Sequence, residues 1–355
     1  MLKVTGLEKH YEGKPLLCGV SFTLAADETA CLLARSGGGK STILRIIAGL
    51  EQAESGQVIW DGQDLTDIPP HRRGFGFMFQ DYALFPHLNV FENVAFGLRV
   101  QKLPPEELRE RVSEVLEMVG MESFYERSVI DLSGGEKQRI AFARAIAPSP
   151  KLLMLDEPMG ALDRTLRDQL LKDLQRLLDV TDVPVIYVTH DQEEAFAVAD
   201  RIMILHDGHV VQSGKPQEVY SHPINIWTAS FLGLNNQMDG KVSSLDPLIV
   251  DTPIGPLHIR NHAGGLLAGE RVDLLVTDIS VNQAGSEAPN SFSAEVTAQR
   301  FLGRDYQTSL LVANTWNAVI TLDRFLPVGE QILITIPPVS IYTYTRGETH
   351  ENCQE

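Results

Sequence analysis

The segment CLLARSGGGKSTILRIIAGL, residues 31–50, constrains the fold of this chain more than any other. An apolar run leads into Ser36, Gly37, Gly38 and Gly39, after which Ile43, Ile46, Ile47 and Leu50 recur at helical spacing. The order is strand, glycine loop, helix. Glycines let several backbone N–H groups converge on phosphate oxygens, and a helix start adds its positive dipole end. A glycine-rich turn without a ligand is the plainer reading, but the strand before and the helix after favour a phosphate cradle. The pattern G-x-x-x-x-G-K-[ST] assigns Lys40 to the β- and γ-phosphates and the Ser41 hydroxyl to Mg²⁺, with Thr42 closing the cradle. Its first position holds Ala34 instead of glycine. Alanine is harmless there if its backbone stays in the β region, and that is the expectation.

Strands and helices continue to alternate. PLLCGVSFTLAADETACLLA reads as two strands with a turn at Ala26–Glu28. PPEELRERVSEVLEMVGM places Leu108, Val112, Val115, Leu116 and Val119 on one helix face, with Pro105 at its start and Gly120 at its end. KLLMLDEP and VPVIYVTH read as buried parallel strands, and Leu166, Leu170, Leu174 and Leu177 mark a helix between them. This alternation predicts an α/β domain with a mostly parallel sheet. From Asn235 onward short strand-like runs replace it, and GERVDLLVTDISV (269–281) resembles GEQILITIPPVSI (329–341). A duplicated β unit, forming one or two small barrels, is expected there. The 355 residues therefore divide into 1–234 and 235–355.

The formal charge of −17 is spread over both parts and argues against a nucleic acid partner. Cys18, Cys31 and Cys353 are few, odd in number and far apart, which suits a reducing cytoplasm. The N-terminal MLKVTGLEKHYEGK lacks a signal-peptide core, and no run approaches the roughly 18 apolar residues of a spanning helix.

LLMLDEP supplies a second element of chemistry. Two adjacent carboxylates at the end of an uncharged strand fall in the crevice where such sheets bind ligands. Asp156 is assigned to Mg²⁺, through water, and Glu157 to polarising the attacking water.

LSGGEKQR (132–139), upstream of LLMLDEP, is similar to the signature motif of ABC transporter ATPases. The other motifs of that family follow in order. Tyr11 looks like the aromatic on which adenine stacks, and Gln80 in FMFQDYALFPHLNV like the glutamine that senses Mg²⁺ and the attacking water. GALD, ending in Asp163, resembles the D-loop, and His190 in YVTHDQEEA the histidine that contacts the γ-phosphate. The resemblance implies a RecA-like P-loop domain with a helical subdomain over 1–234, followed by an OB-like regulatory domain. It also implies that two copies face head to tail, each ATP lying between one cradle and Ser133, Gly134 and Gly135 of the other. Glu136 and Lys137 depart from the family's signature at its tail.

The β-rich extension is similar to that of importer ATPases for iron(III), polyamines, sulfate, molybdate or sugars. Its LLVTDISV lacks the family's RPE, which weakens any borrowed regulatory site. The expectation is an ATP hydrolase acting as a homodimer, peripheral on the cytoplasmic face of the membrane. Beneath two permease subunits, it would be fed by a solute-binding protein. A soluble ABC ATPase acting on ribosomes or DNA, or an exporter ATPase, is the alternative. DYALFPHLNVFENVAFGL concentrates Tyr82, Leu84, Phe85, Leu88, Val90, Phe91 and Phe96, and the resemblance places permease docking there.

Overall fold

The computed structural model describes residues 1–160, 164–179, 181–260, 265–282 and 288–346. It forms two compact units, Met1–Ser221 and one that begins at His222. The first opens with β1 (Leu2–Tyr11), β2 (Lys14–Leu24) and β3 (Thr29–Leu33), then α1 (Lys40–Ala48), β4 (Ser55–Trp60), β5 (Gln63–Asp64), α2 (Pro70–Arg73) and β6 (Phe75–Met78). Three helices follow: α3 (Val90–Val100), α4 (Pro105–Met118) and α5 (Gly134–Ile146). They pack on one another as the expected helical subdomain. The unit continues through β7 (Leu152–Asp156), α6 (Arg164–Asp179), β8 (Val185–Thr189), α7 (Gln192–Val198), β9 (Arg201–His206), β10 (His209–Gly214) and α8 (Pro216–Ser221).

β3, β7 and β8 are uncharged runs buried on both faces, ending only at Asp156 and Thr189, which is why they sit inside a parallel sheet. The six-stranded order is β10-β9-β3-β8-β7-β6, parallel except at the β9–β10 edge. β2, β1, β4 and β5 form a separate antiparallel sheet. The α1 residues Ile43, Leu44 and Ile47 are fully buried with Leu32, Met154, Ile186 and Val188. Burying each such side chain contributes about 1.5–3 kcal/mol.

The helix faces are those expected where described, with two corrections; the Leu166 side chain lies outside the described residues. Leu50 is about half exposed, because the helix stops at Ala48 where Gly49 turns left-handed (φ 77°). In α6, Leu178 joins Leu170 and Leu174 in the core while Leu177 is only partly covered.

The second unit holds α9 (Ile226–Phe231), which packs on β14 (Arg271–Val276). Its other strands are β11 (Gln237–Leu245), β12 (Leu248–Thr252), β13 (Gly255–His258), β15 (Ser280–Asn282), β16 (Ser291–Phe301), β17 (Tyr306–Val312), β18 (Trp316–Leu322), β19 (Gln331–Thr335) and β20 (Ile341–Thr345). The two sheets run β13-β12-β11-β14-β20 and β18-β17-β16-β19-β15 when read in matching directions. The topology is duplicated, and each repeat gives its fifth strand to the other's sheet. Matching hydrogen bonds recur, Val242 N–H to Glu270 O at 2.9 Å and Val296 N–H to Glu330 O at 3.0 Å. One apolar cluster joins both sheets, including Val250, Leu274, Val296, Leu310 and Ile334. The duplication thus builds one body with a shared core, not two separate barrels.

Candidate nucleotide site

Four loops leave the C-terminal ends of β3, β8, β7 and β6, which are neighbours in that spatial order although far apart in sequence. They carry Lys40, His190, Glu157 and Gln80. The parallel sheet is what brings these residues together.

In the cradle, Gly37 and Gly39 are left-handed (φ 79° and 87°). A Cβ at Gly39 would also stand 2.7 Å from Leu17 Cδ2, so only glycine fits. Ser36 and Gly37 are exposed at the mouth of the loop, while Lys40 and Thr42 are buried at its base. The Lys40 side chain is only 4% exposed, with Nζ donating to the carbonyls of Ala34 (3.0 Å) and Arg35 (3.1 Å). Burial holds its ammonium below the usual lysine range, although the Glu157 and Asp156 charges pull it back. Ala34 is buried and outside the left-handed region, so its methyl group causes no backbone strain. Ala34→Gly is therefore expected to change ATP affinity by less than about fivefold, or ~1 kcal/mol. Titration calorimetry checks this, and a tenfold gain in affinity would show that the alanine does strain the loop.

Ser41 Oγ donates to Asp156 Oδ1 at 2.8 Å, joining the two expected metal ligands. Burial raises the pKa of Asp156 against the Ser41 donation, and the neighbouring Glu157 charge adds to the rise. Glu157 is left-handed (φ 44°), and its N–H is held by Val188 O at 2.9 Å. Its Oε2 accepts from Gln80 Nε2 at 3.2 Å and lies 3.3 Å from His190 Nδ1, while Oε1 lies 3.7 Å from Lys40 Nζ. The exposed ring of Tyr11 carries a hydroxyl that donates to Glu51 and also meets the Thr42 side chain, which ties the tyrosine to α1.

Ser133 caps α5 in a reciprocal box with Glu136, donating its N–H to the Glu136 carboxylate at 2.7 Å. Gly135 is buried against Leu170. Among the described residues, no hydrogen bond of Ser133, Gly134 or Gly135 reaches the cradle of the same chain. Asp163 lies outside the described residues.

A cluster around His190 was not anticipated. The buried Glu194 carboxylate accepts from Tyr187 Oη (2.9 Å), Thr189 Oγ1 (2.6 Å) and Arg167 Nε (2.9 Å). Arg167 also reaches Asp191 at 2.7 Å, so both neighbours of His190 are tethered. The one sequence signal is Glu194 at the third position after the Asp191 N-cap, and it reads equally well as a solvated charge.

A family model described as ABC transporter matches residues 17–160, from β2 through the cradle and signature to the loop after Glu157. The putrescine transport ATP-binding protein PotG of Escherichia coli is 46% identical over 73% of this chain and 70% of its own length. The chain belongs to the ABC transporter family. Its relatives include the spermidine/putrescine import ATP-binding protein PotA of Mesoplasma florum, 44% identical over 66% of this chain and 67% of that protein. The Fe(3+) ions import ATP-binding protein FbpC of Streptomyces avermitilis is 44% identical over 73% and 74%. A solved ATP-binding cassette, dimeric in a post-hydrolysis state with ADP and Pi, covers 61% of this ABC chain and 99% of its own. It is 32% identical with a TM-score of 0.55. The fold is thus that of an ABC ATPase with a β-rich addition, and the chain is an ATPase of the importer type.

Proposed function

We propose that the four loops hydrolyse Mg-ATP with Glu157 as general base. The convergence of Gln80 and His190 on Glu157 Oε2, with Lys40 facing Oε1, carries this reading. The residues fit the group they would hold: a buried lysine, a cradle closed to side chains at Gly39, and a serine already paired with an aspartate. Lys40 and the backbone of Ser36–Gly39 would bind phosphates, and Ser41, Asp156 and Gln80 would hold Mg²⁺. When bound, the metal would neutralise phosphate charge. Glu157 takes the proton of the attacking water, while Gln80 and His190 fix that water's place. Turnover by Glu157→Gln beside wild type tests the assignment.

Among the described residues, Ser133, Gly134 and Gly135 make no hydrogen bond to their own cradle, and the solved relative is dimeric. Both favour a head-to-tail homodimer in which each copy completes the other's site, with Asp163 and Tyr11 as further nucleotide contacts. The relatives are named as transport and import ATP-binding proteins, which supports membrane partners; two permease subunits and a solute-binding protein are the proposed ones. No described helix is long and apolar enough to cross a membrane, which suits a peripheral place on the cytoplasmic face. The relatives are named for putrescine, spermidine/putrescine and Fe(3+), all cations, so a polyamine or iron(III) is the proposed cargo. Uptake of labelled putrescine, spermidine and iron(III) with and without this chain tests it; unchanged uptake of all three removes the class. Residues 235–355 are proposed as a regulatory domain; in the structure they belong to the compact unit that begins at His222, so the cut that keeps α9 on β14 falls after Ser221 and not after Leu234.

For permease docking, Val90 is fully buried, Phe91 stacks on Tyr125 and Phe85 packs on Phe96. Phe96 (45% exposed) and Val100 (60%) remain open on α3 and form the apolar surface left for a partner helix. Phe96→Asp is expected to keep ATP binding and lose co-purification with the permease. Retained assembly and transport would place docking elsewhere.

A further inference from the structure

Between Gln80 and α3 the chain bends through two successive left-handed residues, Tyr82 (φ 63°) and Ala83 (φ 44°), neither of them glycine. Such backbone is disfavoured for any residue with a Cβ, and two in a row persist only where the surroundings hold them. Arg144 in the last turn of α5 does the holding. Its Nη2 donates to Tyr82 O and its Nη1 to Ala83 O, both at 2.6 Å. The guanidinium also lies 5.3 Å from the Phe85 ring centroid. On the other side of the bend, Tyr82 Oη is 3.8 Å from where a Cβ at Gly160 would stand, next to the loop that carries Glu157.

We propose that Arg144 is a positioning residue for hydrolysis: its fork grips both left-handed carbonyls and so fixes the bend that lets Gln80 meet Glu157. This rests on the reading of Gln80 and Glu157 given above. A planar guanidinium suits the task, because two parallel donors are needed and an ammonium offers only a point charge. The same helix that Ser133 caps at one end therefore sets Gln80 from the other.

The test measures kcat, KM for ATP and melting temperature on the full chain. The variants are Gln80→Ala, Arg144→Met, Arg144→Lys, Ala83→Gly and the double variant Arg144→Met/Ala83→Gly. Arg144→Met is expected to lower kcat about tenfold with KM little changed, since a small displacement of an orienting group is enough. Arg144→Lys should fall between. Ala83→Gly alone should stay near wild type, and in the Arg144→Met background it should recover about threefold or more, because glycine adopts the bend without penalty. A merely structural arginine would lower the melting temperature with no rescue by glycine. If Arg144→Met does not fold, Arg144→Lys with and without Ala83→Gly carries the comparison. Wild-type kcat without the arginine, or a loss that Ala83→Gly leaves unchanged, overturns the inference. Full turnover by Gln80→Ala would instead overturn the reading of the site on which it rests.

Discussion

Glu157→Gln is expected to bind ATP as the native chain does and to lose about 10²–10⁴-fold in turnover. The amide keeps the size of the side chain and its place among Gln80, His190 and Lys40, so the cradle is undisturbed. It cannot accept the proton of the attacking water. The exchange also removes one of two adjacent carboxylates, and the Glu157 charge is among the causes that raise the pKa of Asp156. The metal site is therefore eased, and nucleotide binding should not suffer. Phosphate release and equilibrium binding of ATP measure the two halves of the statement. Turnover within tenfold of wild type would give the base to another group.

Lys40→Met should raise the Kd for ATP by about 100-fold or more, some ~2.7 kcal/mol, with little change in melting temperature. The binding loss follows from removing a buried cation that faces both the cradle carbonyls and Glu157. The small stability effect follows from two opposed terms. Burial depresses the folded pKa of Lys40, so its charge costs stability below that pKa and the cost fades as pH rises through it. Methionine removes that cost at neutral pH, and it also leaves the Ala34 and Arg35 carbonyls without their donor. Calorimetry and thermal melting separate the two; a variant that binds ATP normally would show that the charge is not used.

Much of the first unit was legible because its central strands are uncharged until their ends and its helices repeat apolar residues at helical spacing. Ser133, Asn89 and Asp191 cap helices in the structure, a role their residue types allow but which the sequence reading did not use. What escaped was non-local. The left-handed backbone of Glu157, Tyr82 and Ala83 carries no glycine to announce it. The fork of Arg144 depends on carbonyls sixty residues away, which no periodicity reports. Glu194 reads as a surface charge in the sequence because its three donors come from other elements, Tyr187 and Thr189 from β8 and Arg167 from α6. In the second unit the likeness of the two GE-rich stretches revealed the duplication. It could not reveal that β15 pairs with β19 and β20 with β14, since strand exchange is decided by long-range pairing. The aromatic-rich segment after Gln80 was read by composition, and only the fold separates buried Val90 from exposed Phe96.

In the proposed dimer, each ATP is held between the cradle of one copy and Ser133–Gly135 of another. Sedimentation velocity of Glu157→Gln with and without saturating Mg-ATP tests it most directly, with Glu157→Gln/Ser133→Arg as the paired sample. The account predicts a dimer for Glu157→Gln only when Mg-ATP is present, and a monomer that still binds ATP once Ser133→Arg is added. A Glu157→Gln chain that stays monomeric with ATP bound, or a Ser133→Arg double variant that still dimerises, would contradict it.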